Sequence, residues 1–162
     1  MLYIVVAVLV LAADQAVKFL TRANMTPGQS ISVIGNFFRI TYIQNRGAAL
    51  GMFSGQSKLL MVLPLVVIAG VMIFIYLNKF TNPLVKYALT LISAGGAGNV
   101  VDRILFGQVT DMFSFSIFPP VFNVADIAVT LGCFLILVYV LFGEKISGRQ
   151  KARNRRNSSG RR

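Results

Sequence analysis

Four long apolar stretches separated by polar connections organise the chain, running from Leu2 to Thr21, Leu59 to Leu77, Leu84 to Phe106 and Val121 to Phe142. A helix needs about 20 residues to cross the hydrocarbon core of a bilayer, so each stretch predicts a spanning helix. The first begins Met-Leu-Tyr-Ile, without a basic leading segment, and no A-x-A cleavage site follows it. It therefore reads as a permanent span and not as a signal peptide. The fold class expected is an all-α integral membrane protein, a bundle of four transmembrane helices. The longest connection, from Arg22 to Lys58, contains Phe37-Phe38-Arg39-Ile40-Thr41-Tyr42-Ile43, rich in aromatic and β-branched residues. That composition predicts strand structure near the outer membrane surface. Small residues follow in Asn45-Arg46-Gly47-Ala48-Ala49-Leu50-Gly51, where the backbone can approach something closely. A plain turn with an interfacial amphipathic segment fits the same residues.

Composition supports the membrane reading. Hydrophobic residues make up 56% of the chain and charged ones 13%, too apolar for an ordinary soluble domain. There is no histidine and a single cysteine, Cys133, inside an apolar run. An internal disulfide and a His/Cys metal cluster are thereby excluded, and no cofactor and no metal are expected. Cys133 reads as a small packing hydrophobe, since no histidine stands by to activate it.

Charge sets the orientation. The net charge is +11, and eight of the 16 basic residues lie between Lys145 and Arg162. This divides the chain into a membrane-embedded domain, residues 1–144, and a basic, disordered tail, residues 145–162. Beside a span, such a tail reads as a cytoplasmic anchor attracted to anionic lipid. Nucleic acid is not an expected partner, because nothing aromatic is interleaved with the arginines. An even number of spans puts both termini in the cytoplasm, with Lys79 and Lys86 on the same side. Arg22, Arg39, Arg46 and Lys58 fall outside and argue the other way, but the tail outweighs them.

Charged groups inside hydrocarbon are costly, so each is a candidate for function. Of only five carboxylates, Asp14, Asp102, Asp111 and Asp126 lie within or beside the apolar stretches, and Glu144 begins the tail. On the expected topology the first four converge towards the outer leaflet. Asp14 and Lys18 are four residues apart and share a helix face, so they can pair; the plainer role for this pair is joining helices. Asn99, Asp102 and Arg103 cluster at the end of the third stretch, and there Asp102 is expected to pair with Arg103. Asn123, Asp126 and Thr130 share a face of the fourth. Asn99 and Asn123 also suit ordinary hydrogen bonding between helices.

Asp111 and Asp126 resist a plain explanation, because neither has a basic residue three or four positions away and apolar residues flank both. Two carboxyls brought together in a poorly solvated site share a proton. One then acts as a base that activates water and the other as an acid, which is the chemistry of peptide hydrolysis without metal or covalent intermediate. Spacing alone does not bring them together. A serine–histidine pair and an H-E-x-x-H zinc site are both impossible without histidine. A serine–lysine dyad through Lys18 or Lys58 is formally open, although no serine stands in a suggestive context.

Taken together these motifs resemble lipoprotein signal peptidase (signal peptidase II), from the first stretch through the fourth. The resemblance rests on Asp14-Gln15-Ala16-Val17-Lys18, Asn45-Arg46-Gly47-Ala48-Ala49, Gly98-Asn99-Val100-Val101-Asp102-Arg103, Val109-Thr110-Asp111, and Phe122-Asn123-Val124-Ala125-Asp126 followed by Thr130-Leu131-Gly132. Ala97 stands where a bulkier residue is frequent, and the tail is longer and more basic than usual. The resemblance implies an aspartic endopeptidase with Asp111 and Asp126 catalytic. Asn45, Gly47, Asn99, Arg103 and Asn123 would line the site, with Asp14 and Lys18 supporting it. The implied partner is a diacylated prolipoprotein, cut on the amino side of its lipidated cysteine, with the enzyme a monomer in the bacterial cytoplasmic (inner) membrane among its lipids. The first connection would form a small extracytoplasmic β-sheet cradling the substrate.

Two other readings are open to the residues. A proton-coupled transporter or channel subunit would also use intramembrane Asp and Lys, but predicts polar residues through the full bilayer depth. A membrane scaffold binding through the first connection and tail would leave Asp111 and Asp126 without a role.

Overall fold

The computed structural model describes residues 2–47, 57–77 and 82–159. Ala48, Ala49, Leu50, Gly51 and Lys79 lie outside the described residues, as do the side chains of Lys58 and Glu144. Along the chain run α1 (Leu2–Asn24), β1 (Ser30–Ile34), β2 (Phe38–Asn45), α2 (Ser57–Tyr76), α3 (Pro83–Phe106), β3 (Val109–Phe115), β4 (Phe118–Phe122) and α4 (Val124–Ser159). Three of the described helices are long and apolar enough to cross a membrane: Leu2–Asn24, Pro83–Phe106 and Val124–Gly143. Helix α2 lies over the second expected stretch, with Pro64 inside it.

Local chemistry fixes the boundaries. Asn82 accepts from the Leu84 N–H at 2.9 Å and caps α3, with Pro83 next, where its missing N–H costs nothing. Gly107 ends that helix at φ 71°, the left-handed conformation that favours glycine. Helix α4 starts at Val124 and not at Val121, because Asn123 caps it. It continues to Ser159. Lys, Arg, Gln and Ala towards that end are adequate helix formers.

Outward faces are apolar: Leu9, Phe19, Ile104 and Val140 each expose 63–67% of their surface. The interior is built from small and polar residues instead. A Cβ on Gly95 would sit 2.4 Å from the Ala125 carbonyl oxygen, and one on Gly132 would sit 2.6 Å from that of Ala88. Backbones this close are how helices associate in lipid, where no hydrophobic force draws them together. Asp14, Lys18, Asp102 and Asn123 are the large buried side chains alongside Met112.

The four strands form one antiparallel sheet in the order β1-β2-β3-β4. The expected sheet from the first connection is therefore only half of it. Strands β3 and β4 come from the segment between α3 and α4, whose end was assigned to the fourth span. Register gives the sheet two unlike faces. Ile31, Ile40, Phe113 and Phe122 align across all four strands, and Ser32, Arg39 and Ser114 align on the other side. On the apolar face, Phe38 stacks on Phe115 with ring centroids 4.8 Å apart. On the polar face, Arg39 donates through Nε to Ser30 Oγ at 2.9 Å.

Candidate active site

The site assembles from α1 outward. Residues 14, 18 and 22 fall at i, i+4 and i+8, on one stripe of a helix. Asp14 Oδ2 lies 2.9 Å from Lys18 Nζ, with both side chains almost wholly buried. The carboxylate also works at a distance in sequence: Asp14 Oδ1 accepts from the Ala125 N–H at 2.8 Å, in the first turn of α4. Free N–H groups at a helix start favour a negative charge there. Gly98 makes room for Asp14, since a Cβ there would meet Asp14 Oδ2 at 2.5 Å. One acid thus ties α1 to both α3 and α4, the helix-joining role expected for this pair.

Lys18 reaches further. Its Nζ donates to Asn99 Oδ1 at 2.9 Å and lies 3.6 Å from Asp102 Oδ2. A cation can only donate, so the contact fixes which end of the Asn99 amide faces α1. The NH2 end then points across to α4, where Asn99 Nδ2 donates to Asp126 Oδ1 at 2.8 Å.

Asn123 holds both candidate carboxyls. Its Oδ1 accepts from the Asp126 N–H at 2.9 Å, while Asp126 Oδ2 accepts from the Asn123 N–H at 3.1 Å. This reciprocal pair is a capping box at the start of α4. With its oxygen committed, Asn123 Nδ2 donates to Asp111 Oδ1 at 2.6 Å. Asn45 repeats the device from β2: its Oδ1 accepts from the Gly47 N–H, and its Nδ2 donates to Asp111 Oδ2, both at 2.9 Å. Three asparagine amides are thus locked by their oxygens and aim their NH2 groups at Asp111 or Asp126.

Asp111 is 2% exposed on β3. Burial pushes its carboxyl up from the ordinary 3.8 to about 6. The nearby charge of Asp126 adds to the rise, while the Asn45 and Asn123 amides and Lys18 oppose it. Both carboxyls border a cleft of about 1260 Å³, whose polar lining includes Asn45, Gly47, Asn99 and Arg103. Phe115, Phe118, Pro119, Pro120, Phe122 and Leu131 line the rest. Arg103 donates to the carbonyl oxygens of Asn99 and Gly47, at 3.4 and 3.2 Å.

One expectation fails. Asp102 does not pair with Arg103, because neighbouring residues on a helix point about 100° apart. Its Oδ1 lies 3.5 Å from Arg22 Nη1 on α1, and its Oδ2 accepts from the Thr110 N–H at 2.9 Å. Three participants went unremarked as site residues: Gln15, which donates to Asp14 Oδ2 and the Gly98 carbonyl oxygen, Arg22 and Thr110. The four-residue step from Lys18 to Arg22 was the available signal. The Asn-x-x-Asp capping box was likewise legible.

The family model described as signal peptidase (SPase) II matches residues 6–142. Among curated relatives, a lipoprotein signal peptidase of Halothermothrix orenii is 41% identical over 90% of this chain and 99% of its own length. One from Moorella thermoacetica is 37% identical over 91% of this chain and 98% of its own. A solved bacterial membrane enzyme superposes with a TM-score of 0.81 at 34% identity, covering 86% of this chain and 87% of that one.

Proposed function

The chain belongs to the signal peptidase II family, and from that premise we propose that it removes signal peptides from diacylglyceryl-modified prolipoproteins with Asp111 and Asp126 as its acid–base pair. The observation that carries the assignment is Asn123, which holds Asp111 by its side-chain amide and Asp126 by its backbone N–H beside the cleft. The scissile bond lies on the amino side of the lipidated cysteine. In the resting pair one carboxyl is ionised and the other protonated. The ionised carboxylate takes a proton from water as the water oxygen attacks the scissile carbonyl carbon. The protonated carboxyl gives its proton to the carbonyl oxygen, forming a neutral tetrahedral diol. Collapse breaks the C–N bond; one carboxyl protonates the leaving nitrogen, the other recovers the diol proton, and the pair again holds one proton.

The remaining residues bind and orient. Asn45, Gly47, Asn99 and Arg103 line the cleft and contact the extended substrate backbone. Asn123, expected at the lining, is wholly buried behind the carboxyls and orients them, while Asp14 and Lys18 hold the helices. The apolar lining of the cleft, Phe115, Phe118, Phe122 and Leu131 among it, suits a segment delivered from lipid. Helix α2 completes a four-span bundle, with both termini cytoplasmic and the site near the outer leaflet of the cytoplasmic membrane. The enzyme works as a monomer and needs no metal.

The test is incubation of the purified protein with a diacylated prolipoprotein peptide. We expect release of the signal peptide ending at the residue before the modified cysteine, unaffected by a chelator. Failure of folded enzyme to cut, or activity restored only by zinc, contradicts the reading.

A further inference from the structure

Asp111 sits on a strand, and what fixes that strand against the helices lies outside the cleft. Thr110, the residue before it, is 3% exposed and held twice. Its N–H donates to Asp102 Oδ2 at 2.9 Å, and its Oγ1 accepts from Arg22 Nη1 at 3.0 Å. Arg22 also lies 3.5 Å from Asp102 Oδ1, and its guanidinium carbon stands 4.4 Å over the Phe106 ring. The guanidinium is thus confined by a buried carboxylate, an aromatic face and a buried hydroxyl. This is more than a surface ion pair needs, and a planar, stacked cation has little freedom left.

We propose that Arg22 is a positioning residue for Asp111, acting through Asp102 and Thr110 as a clamp that sets where β3 enters the site. This rests on the peptidase reading of Asp111 and Asp126 given above. Lys18, one turn earlier on α1, acts on the other carboxyl through Asn99. One stripe of α1 therefore reaches both members of the pair, Lys18 through Asn99 and Arg22 through Asp102 and Thr110, with Lys18 also 3.6 Å from Asp102. Among the described residues Arg22 contacts Asp102, Thr110 and Phe106, none of which lines the cleft, so its effect passes through the strand. Small displacements matter here, because a shift of about 1 Å in a reacting group costs on the order of 100-fold in rate.

The experiment compares Arg22→Gln, Arg22→Lys, Thr110→Val, Thr110→Ser and the double variant Arg22→Gln/Thr110→Val. Each is read by kcat and KM on the diacylated peptide, by thermal stability in detergent, and by infrared titration of the Asp111 carboxyl. Arg22→Gln and Thr110→Val should each lower kcat by about 10- to 100-fold with KM within about twofold. The double variant should be no worse than the poorer single, because both remove one contact. Thr110→Ser keeps the hydroxyl and Arg22→Lys keeps the charge, so both should recover part of the rate. The Asp111 midpoint should rise in the impaired variants, as the amides of Asn45 and Asn123 that favour its ionised form lose alignment. The clamp is overturned if kcat falls only with the fraction of folded protein, if the two losses multiply, or if the Asp111 midpoint does not move. Wild-type protein that fails to cut while its variants still shift the midpoint would leave the clamp standing and overturn the peptidase reading instead.

Discussion

Helices α3 and α4 meet twice along their length, by different physics. Along the seam, Gly132 lies against Ala88 and Gly95 against Ala125, so close that a Cβ on either glycine would strike a carbonyl oxygen. Around Gly132 nothing is charged, and contact is dispersion between backbones, whereas Ala125 already borders the polar cluster through its N–H bond to Asp14. Towards the other end, Asp14, Lys18, Asn99, Asp102 and Asn123 replace that contact with a buried polar cluster. The seam holds two rods at a fixed spacing. The cluster uses that spacing, since hydrogen bonds of 2.6–3.1 Å around Asn123 leave no slack for a drifting helix. Gly98 is where the two regimes touch, facing both Asp14 Oδ2 and the Ala125 Cβ. The lesson is a division of labour: damage to the seam should lower stability alone, while damage to the cluster should reach the chemistry.

The largest expected effect falls on the carboxyl pair. Asp111→Asn or Asp126→Asn should each reduce turnover by about 1000-fold or more while the protein still inserts, since a positioned acid or base contributes 10²–10⁴-fold on each transfer. Replacing both should cost little beyond replacing one, because groups acting as a unit are not additive. Next comes Asp14→Ala, which leaves Lys18 buried with Asp102 at 3.6 Å as its remaining carboxylate and takes the acceptor from the Ala125 N–H at the start of α4. Breaking a buried pair costs about 3–5 kcal/mol, so thermal stability and accumulation should both fall. Gly132→Ala, where a Cβ would stand 2.6 Å from the Ala88 carbonyl oxygen, sharpens the contrast from the seam side. Overpacking should cost about 1–3 kcal/mol of stability, with turnover per folded molecule unchanged. A rate loss there would show that the seam and the cluster are not separable.

The smallest effect concerns pH. A carboxyl raised from the ordinary 3.8 to about 6 lends stability that is complete below pH 4 and is lost as pH rises through about 6. Asparagine cannot ionise, so it does not suffer that loss. The melting temperature of Asp111→Asn minus that of wild type should therefore increase between pH 4 and pH 7. A difference that stays flat over that interval would place Asp111 in contact with water.

Much of this was legible in the sequence. The start of α1 and the ends of α3 agree with the apolar runs to within a residue, because a lipid-facing helix must be apolar over its length. The Asp14–Lys18 pair follows from helical spacing, and the local backbone bonds of Asn123 and Asp126 follow from theirs. What was not legible is contact across the chain. Strands β3 and β4 were hidden because Phe113, Phe115, Phe118 and Phe122 extend a hydrophobic signal into the fourth run, and Pro119-Pro120 argues against a strand. Asp102 was misassigned because Arg103 is its neighbour in sequence, whereas its partners, Lys18 and Arg22, are on another helix. That Asn99 and Asn45 each aim at a different carboxyl depends on which atom holds their oxygens, and no spacing rule supplies that.

The central claim is that Asp111 and Asp126 share a proton as one unit. Infrared titration of the Asp111 carboxyl in bilayer-embedded protein, with and without the charge at position 126, tests it most directly. In wild type the protonated carboxyl band should persist through pH 4–5, where ordinary carboxyls ionise, and disappear around about 6. In Asp126→Asn the midpoint should drop, because a like charge that opposed ionisation has gone. A midpoint that stays where it was in wild type would mean that the two carboxyls titrate independently, and the pair would not be one.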